Sequence, residues 1–246
     1  MPQDTRIPGS REPIAEATGI TSRPWYRFFS NLFEYLGLAD GTIPESSGGT
    51  GHSVYAPGDL LYATGPTTLT RLPAAPTPCY LGTDSNQMPQ WIPVAYAAMG
   101  DNTPSQSAAA NTPTVVGIGT AVYGRGISLA DNKATIAKAG LYTVTFSVQL
   151  TNANTTSDDD VTLWVRINGV DLPLTSSYAT VVKSHAGVPG STVLTVNIFY
   201  QFNDGDYLQL AWLTKLGYAQ IITYGASSSP AYPAAPGVIL TIAQVV

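Results

Sequence analysis

The sequence predicts an all-β protein with one N-terminal amphipathic helix and an extended stretch that is rich in Gly and Pro. Three observations support this fold class. Apolar and polar residues alternate in many short segments after residue 114. Turn-forming residues are frequent, with 23 Gly and 19 Pro. Charged residues make up 11% of the chain, less than half of the ~25% that is typical of a soluble domain. A charge-rich helical bundle or a coiled coil is therefore not expected.

Residues 1–40 contain the one segment with a helical pattern. Ser22 is placed to act as N-cap, Pro24 suits the first turn, and Gly37 can end the helix. Between them the apolar side chains follow the spacing of a single stripe. We expect the following residues of this segment to form an anchor: Trp25, Tyr26, Phe28, Phe29, Leu32 and Phe33.

A helix of about four turns is marginal alone in water, so its apolar stripe must be buried against another surface. The surface could belong to its own domain. It could also belong to a partner or to further copies of the chain, and the sequence favours this second alternative because a Gly/Pro-rich stretch follows the helix.

Residues 41–113 are rich in Gly, Pro, Ser, Thr and Ala. Turn signals recur every few residues, so only short extended pieces such as 59–63 and 90–96 are expected. Alone, this stretch would bury too little surface to stay ordered, and we interpret it as a linker or as a strand-exchanging shaft in an oligomer. Residues 102–113 are predicted to be a hinge.

Residues 114–246 carry repeated strand signals, and segment 141–150 is the clearest. Its alternation places Tyr142, Val144, Phe146, Val148 and Leu150 on one face of a half-buried antiparallel strand. Further strands are predicted at 161–168, 193–202, 207–215, 220–224 and 237–245, with weaker ones near 115–123, 127–137 and 172–182. Asn168-Gly169 and Asp204-Gly205 mark tight turns. These elements indicate a β-sandwich or barrel, of which a jelly roll fits best.

Trp164 is an exception to the polar side of its predicted strand, where it lies with Thr162 and Arg166. A large aromatic side chain is costly to leave in water and often belongs to an interface. It can equally be covered by a loop of its own domain, and the sequence leaves both alternatives open.

The charge pattern excludes several function classes. The net charge is −5 and no Lys/Arg-rich stripe is present, so nucleic-acid binding is not expected. Apolar runs are far shorter than the ~20 residues of a membrane span, and residues 1–4 do not resemble a signal peptide. We therefore expect no membrane insertion and synthesis in the cytoplasm. The single Cys79 has no partner for an intrachain disulfide or a CxxC metal site.

Catalytic chemistry is not indicated. His52 and His185 have no Cys, Asp or Glu at ligand spacing, so we predict no catalytic residues, no metal and no cofactor. Calcium binding is an alternative for the acidic residues 158–160 or for Asp204 and Asp206, although such clusters are more often solvated turns. The Gly117 and Gly119 motif does not lead into a helix and is not a phosphate loop.

At this point the motifs resemble known families. The middle zone is similar to the shaft repeat of tailed-bacteriophage fibre proteins, and the segment 23–29 to an N-terminal element of short phage structural proteins. The C-terminal zone resembles the trimeric jelly roll of the complement and tumour-necrosis-factor superfamily. The shaft motif comprises Gly48, Gly49, Thr50, Gly51, Gly58, Asp59, Leu60, Leu61 and Tyr62, and the jelly-roll pattern comprises Gly140, Tyr142, Phe146, Asn168, Gly169, Gly205 and Asp206.

This resemblance implies a homotrimeric virion protein: a short fibre or spike that is assembled in the host cytoplasm. It divides the chain into a virion-anchoring segment (1–40), a shaft and hinge (41–113) and a jelly-roll tip domain (114–246). The partners would be capsid, portal or tail proteins and a host-surface glycan or protein. The shaft motif occurs about once, so the fibre would be short. Two alternatives are a tip-borne enzyme that degrades polysaccharide and a decorative capsid fibre without a receptor role.

Overall fold

The computed structural model describes residues 6–35, 49–77 and 79–245. Strands account for 52% of the chain and helix for 5%, so the prediction of an all-β protein is confirmed. The chain separates into two compact units, Met1–Pro93 and Val94–Val246.

The first unit contains one helix among its described residues, α1, which spans Arg23–Tyr35. The predicted N-cap Ser22 directly precedes it, and the backbone N–H of Tyr26 donates to the Ser22 carbonyl at 2.9 Å. The Ser22 hydroxyl, however, donates to the carbonyl of Pro13. Its side chain therefore ties the preceding segment to the helix start. The predicted stop at Gly37 lies outside the described residues.

The same unit contains two local hairpins. Strand β1 (Leu60–Gly65) pairs with β2 (Thr68–Leu72), and β3 (Cys79–Thr83) pairs with β4 (Pro89–Pro93). β1 and β4 overlap the two short extended pieces that the sequence predicts here. Each hairpin pairs residues close in the chain, because the frequent turn residues allow no longer strand.

The second unit consists of two antiparallel sheets whose buried faces share one hydrophobic core. The first sheet, here sheet I, contains β5 (Tyr96–Asp101), β6 (Ser105–Ser107), β8 (Thr120–Arg125), β11 (Gly140–Asn152), β15 (Gly190–Phe202), β17 (Ala219–Ile222) and β20 (Val238–Gln244). Their order is β6-β17-β11-β20-β5-β8, and β15 pairs with the other side of β11.

The facing sheet, sheet II, contains β7 (Thr114–Val115), β9 (Ile127–Ala130), β10 (Lys133–Ile136), β12 (Asp159–Ile167), β13 (Val170–Asp171), β14 (Ser177–Val181) and β16 (Tyr207–Thr214). The order is β13-β12-β16-β10-β9, with β14 paired to β12 and β7 paired to β16. A separate small hairpin joins β18 (Ser227–Ser228) to β19 (Ala231–Tyr232).

Strand β11 is the centre of sheet I. Its even-numbered apolar residues, from Tyr142 to Leu150, are all almost fully buried, as the alternation predicts. Along its length it pairs with β15, from Gly140 opposite Phe202 to Asn152 opposite Gly190. Tyr142 and Phe202 meet edge to face, with ring centroids 5.5 Å apart.

The turns show why the sequence signals succeed. Asn168 and Gly169 have φ of 53° and 80°, which suits a two-residue hairpin turn with both central residues in the left-handed region. Asp131 and Asn132, with φ of 51° and 58°, make the same kind of connection between β9 and β10. The sequence analysis did not single out this second turn, because it contains no Gly.

The second compact unit begins at Val94, whereas the sequence analysis placed the tip domain at 114–246. The segment between these boundaries contains β5, which pairs with β20 from Tyr96 opposite Ala243 to Asp101 opposite Val238. β6 adds a further strand within residues 102–113, the predicted hinge. The side chains that β5 buries are small, chiefly Ala, so its alternation carries little hydrophobic signal.

Trp164 is covered by its own domain. It is 7% exposed, and its indole N–H donates to Asp171 Oδ1 at 2.6 Å. The short strand β13 brings this carboxylate over β12, and the Arg166 guanidinium lies 5.7 Å from the Trp164 ring centroid. Of the two alternatives left open by the sequence, coverage within the domain is the one observed.

Candidate functional site

The outer face of sheet I carries no charged side chain on its four central and edge strands β15, β11, β20 and β5. We call it the uncharged face. It consists of Val193, Thr195, Asn197, Phe199 and Gln201 on β15, Leu141, Thr143, Thr145, Ser147 and Gln149 on β11, Ile239, Thr241 and Ala243 on β20, and Tyr96 and Ala98 on β5.

The register arranges these side chains in rows across the strands. One row runs from Phe199 through Thr143 and Ala243 to Tyr96, and the next runs from Asn197 through Thr145 to Thr241. Because side chains directly opposite on one face are neighbours, the rows form a continuous surface. Phe199 is 65% exposed and Ile239 42% exposed.

Polar groups on the uncharged face bond to one another. The Asn197 amide Nδ2 donates to Thr143 Oγ1 at 3.0 Å and to Thr145 Oγ1 at 2.6 Å. Thr195 Oγ1 lies 3.3 Å from Ser147 Oγ. The face therefore presents apolar groups together with amides and hydroxyls that are already partly paired, which lowers the cost of removing it from water.

Charges lie instead on the outer side of sheet II. Arg166 pairs with Asp171, and Lys215 pairs with Asp160 at 3.4 Å. The Lys133 ammonium lies 4.9 Å from the Tyr207 ring centroid. The two outer faces of one domain thus differ in charge, although both are available to solvent in the single chain.

Strand β15 adds a free edge to the uncharged face. Among the described residues it forms ladder pairs with β11 alone. Its inward residues Val196, Ile198 and Tyr200 pack against the core while remaining partly exposed. An unpaired strand edge next to apolar side chains is a surface that proteins usually cover or protect.

The predicted anchoring residues all lie on α1, as the sequence indicates. Trp25 contacts Phe28 and Phe29, with ring centroids 5.8 and 5.7 Å apart, and its indole N–H donates to the Glu12 carbonyl at 3.0 Å. Tyr26, Phe29 and Phe33 are exposed, while Trp25, Phe28 and Leu32 are half-buried. The helix thus leaves much of its aromatic surface in solvent.

The shaft motif builds a turn and the start of a hairpin. Gly58 has φ of +88°, and the Asp59 carboxylate accepts the backbone N–H groups of Ala56 at 2.7 Å and Ala74 at 3.1 Å. The Ala56 N–H is the main reason that the pKa of Asp59 is lowered. Leu60, Leu61 and Tyr62 begin β1, Gly49, Thr50 and Gly51 lie in the preceding loop, and Gly48 lies outside the described residues.

The jelly-roll pattern residues come together in part. Gly140, Tyr142 and Phe146 lie on β11, with Tyr142 and Phe146 in the core. Asn168 and Gly169 form the turn after β12, Gly205 and Asp206 form the turn before β16, and the Asn168 amide donates to Asp206 Oδ1 at 2.7 Å. The sequence analysis identified both turns but not their contact.

The acidic residues 158–160 have structural partners. Asp159, 1% exposed, accepts backbone N–H groups of Leu216, Tyr218 and Ala219 at 2.8 to 2.9 Å. Asp158 accepts the Lys183 N–H at 2.8 Å. The pKa of Asp160 is lowered first by the Tyr178 hydroxyl.

Within the described ranges, no three His, Cys, Asp or Glu side chains are grouped to hold a metal ion. In the same part of the chain, α1 does not have the length and apolar character of a membrane-crossing helix.

The sequence analysis missed the uncharged face, although its signal is present in the sequence. Alternate positions within 141–149, 193–201 and 239–243 carry no Asp, Glu, Lys or Arg. Only the register shows that these three segments are neighbours with their uncharged sides aligned.

No protein-family model matches this chain, and no curated protein matches it. The class that the fold defines is therefore the broad one, an all-β protein with a two-sheet C-terminal unit. The functional proposal has to rest on the surfaces described above.

Proposed function

We propose that this chain is a non-enzymatic structural protein of a tailed-phage virion. It forms a short homotrimeric fibre or spike, assembled in the host cytoplasm and attached to the capsid, portal or tail through its N-terminal segment. Its C-terminal unit is a jelly-roll tip that contacts a glycan or protein of the host surface.

The uncharged face is the observation that carries this proposal. Soluble surfaces normally intersperse charges of both signs, whereas the centres of protein interfaces are depleted of charge and enriched in aromatic residues. Phe199 and Tyr96 fit that composition, and the surrounding Thr, Ser and Asn side chains supply hydrogen bonds. We assign the face to two further copies of the same chain, because closed symmetry is the usual outcome of self-association.

Strand order supports the jelly-roll part of the proposal. The sequence β8-β5-β20-β11-β15 in sheet I and β9-β10-β16-β12-β14 in sheet II places consecutive strands repeatedly in opposite sheets. Such alternation is the connectivity of a double Greek key. Five strands in each sheet carry it, and the remaining short strands extend the edges.

The helix α1 supports attachment through the N-terminal segment. Tyr26, Phe29 and Phe33 leave large aromatic surfaces exposed on a 13-residue helix. Because so short a helix gains most of its stability from packing, a partner surface explains this composition.

The test uses the full chain. Light scattering should give a mass of three times 25.9 kDa, and the purified protein should compete with adsorption of the phage that encodes it. Host polysaccharide should remain intact. A monomer at micromolar concentration would contradict the trimer, failure to compete would contradict receptor contact, and release of oligosaccharide would replace this proposal with the enzyme alternative.

A further inference from the structure

A cleft of about 380 Å³ opens at one end of the second unit, between β5, β6, β7, the 117–119 loop and the β9–β10 turn. Its volume is within the lower part of the ~300–1,000 Å³ range of small-ligand pockets. Three polar residues of the wall decide what it can hold: Asp101, Trp212 and Asn132.

Asp101 contributes an unusual carboxylate to this wall. It is 3% exposed, and its Oδ2 accepts hydrogen bonds from Gln106 Nε2 at 2.7 Å and from the Thr103 hydroxyl. Its Oδ1 accepts none from the described residues, and no Lys or Arg among them forms an ion pair with it. A buried carboxylate in this state retains an unused acceptor.

Trp212 contributes the opposite requirement. The residue is fully buried, and its indole Nε1–H has no hydrogen-bond partner in the described part of the chain. Buried donors are almost always paired in folded proteins, because water is lost without compensation otherwise. An acceptor in the cleft would satisfy this group.

Asn132 supplies a second donor. Its Oδ1 accepts the backbone N–H of Ile118 at 2.9 Å, which fixes the amide orientation. The other end of the amide, Nδ2, therefore carries N–H groups that are not used by a described residue.

Two glycines leave room at the carboxylate. A Cβ at Gly119 would lie 3.4 Å from Asp101 Oδ1, and a Cβ at Gly117 would lie 3.2 Å from the Gln106 amide. That amide holds both the N–H of Gly117, at 2.7 Å, and its carbonyl, at 3.0 Å. The loop is thus fixed against the wall, with space beside Oδ1.

The chemistry of the wall selects a ligand class. A cation would satisfy Asp101 but would face the donors of Trp212 and Asn132. An anion would satisfy both donors but would be repelled by Asp101. A hydroxyl group both donates and accepts, so adjacent hydroxyls on one molecule satisfy all three residues.

We propose that this cleft binds a neutral polyhydroxylated ligand the size of one monosaccharide unit. Its biological role rests on the proposed attachment function, since a glycan is one of the two receptor classes named there. Binding itself can be measured on the purified full chain without any phage or host cell.

The probes are the methyl glycosides of glucose, galactose and mannose, with methylammonium and acetate as charged controls. Binding is followed by the NMR signals of the ¹⁵N-labelled indole groups, in which the Trp212 signal is assigned from its loss in Trp212→Phe. At least one glycoside should shift the Trp212 indole signal at millimolar concentration. The Trp164 signal should not shift, because Asp171 already holds that N–H.

Two variants test the roles of the wall. Asp101→Asn and Trp212→Phe should each weaken glycoside binding at least tenfold, whereas Trp164→Phe, which removes an indole N–H from another wall of the domain, should leave it unchanged. Circular dichroism checks folding. If Trp212→Phe does not fold, Asp101→Asn and the wild-type indole shift still decide the question.

The inference is overturned if no glycoside binds, if methylammonium or acetate binds in its place, or if both cleft variants keep wild-type affinity. Loss of glycoside binding together with intact competition for phage adsorption would remove this cleft and leave the attachment function. Glycoside binding without competition would have the opposite meaning.

Discussion

Asn168 and Asp206, which are 38 positions apart, are hydrogen-bonded at 2.7 Å, with the amide Nδ2 donating to the carboxylate Oδ1. The same Asn168 side chain accepts the backbone N–H of Tyr207 at 3.0 Å. One residue therefore links the turn that ends β12 to the turn that begins β16. Because β12 and β16 are central in sheet II, this link fixes their register at one end.

Replacement of Asn168 by Ala should destabilise the domain by about 1–3 kcal/mol, the usual cost of leaving such partners unpaired. The φ of 53° at this position adds strain for Ala. Asn168→Gly tolerates this φ but also lacks both hydrogen bonds, so the difference between the two variants isolates the backbone contribution. Urea unfolding measures both. Equal stability of wild type and both variants would show that the link is unimportant.

Acid should destabilise the protein below about pH 4. The pKa of Asp206 is lowered from its ordinary value of 3.8, chiefly by the backbone N–H of Asn203 and then by Asn168. The pKa of Asp171 is lowered first by Arg166 and then by Trp164. Because these folded-state pKa values are depressed, the stabilisation is present above the unfolded value and is lost as pH falls through the folded values.

The measurement is the melting temperature between pH 7 and pH 2.5. It should change little down to about pH 5 and then fall, and Asp206→Asn should have a shallower fall. A melting temperature that rises as the pH decreases from 4 would contradict the sign of this linkage.

Truncation should separate the two possible domain starts. A chain beginning at Thr114 lacks β5 and β6 and leaves the backbone edge of β20 unpaired, so we expect it to be insoluble or unfolded. A chain beginning at Val94 keeps every strand of both sheets and should unfold cooperatively. Circular dichroism and thermal melting compare them, and a folded, soluble Thr114 fragment would contradict the role assigned to β5.

A charge placed on the uncharged face should prevent self-association. Phe199→Lys introduces an ammonium group into the row formed with Thr143 and Tyr96, and burying it without a partner is costly. Tyr178→Lys is the matched control, since Tyr178 is 64% exposed and Phe199 65%, but Tyr178 lies on sheet II. Light scattering should give a monomer for the first variant and a trimer for the second. Two trimers would place the interface elsewhere.

Double replacement of Phe28 and Phe29 by Ala should abolish incorporation into virions while the free protein still assembles. Each Phe→Ala change removes about 3–5 kcal/mol where the ring is fully buried against a partner. Arg23→Ala, at the start of the same helix, is the control for helix disturbance. Virion composition and light scattering are the measurements. If the double variant itself unfolds, the aromatic stripe belongs to the core of the protein and not to a docking surface.

The local elements follow from the sequence because their causes are local. The stripe of Trp25, Phe28 and Phe29 predicts α1, the alternation from Tyr142 to Leu150 predicts β11, and Asn168-Gly169 predicts a hairpin turn. Each depends on residues within a few positions, where helix and strand periodicities act directly on side-chain burial. These elements are confirmed within one or two residues at most ends.

What the tertiary structure alone decides is which distant segments meet. β5 is a strand because β20 supplies its hydrogen bonds, and Trp164 is covered because β13 brings Asp171 over it. The uncharged face and the Asp101–Trp212 cleft likewise arise from segments that are far apart in the chain. Periodicity states which side of a strand is buried, but pairing order and register depend on the summed free energy of many long-range contacts, and no single segment carries that information.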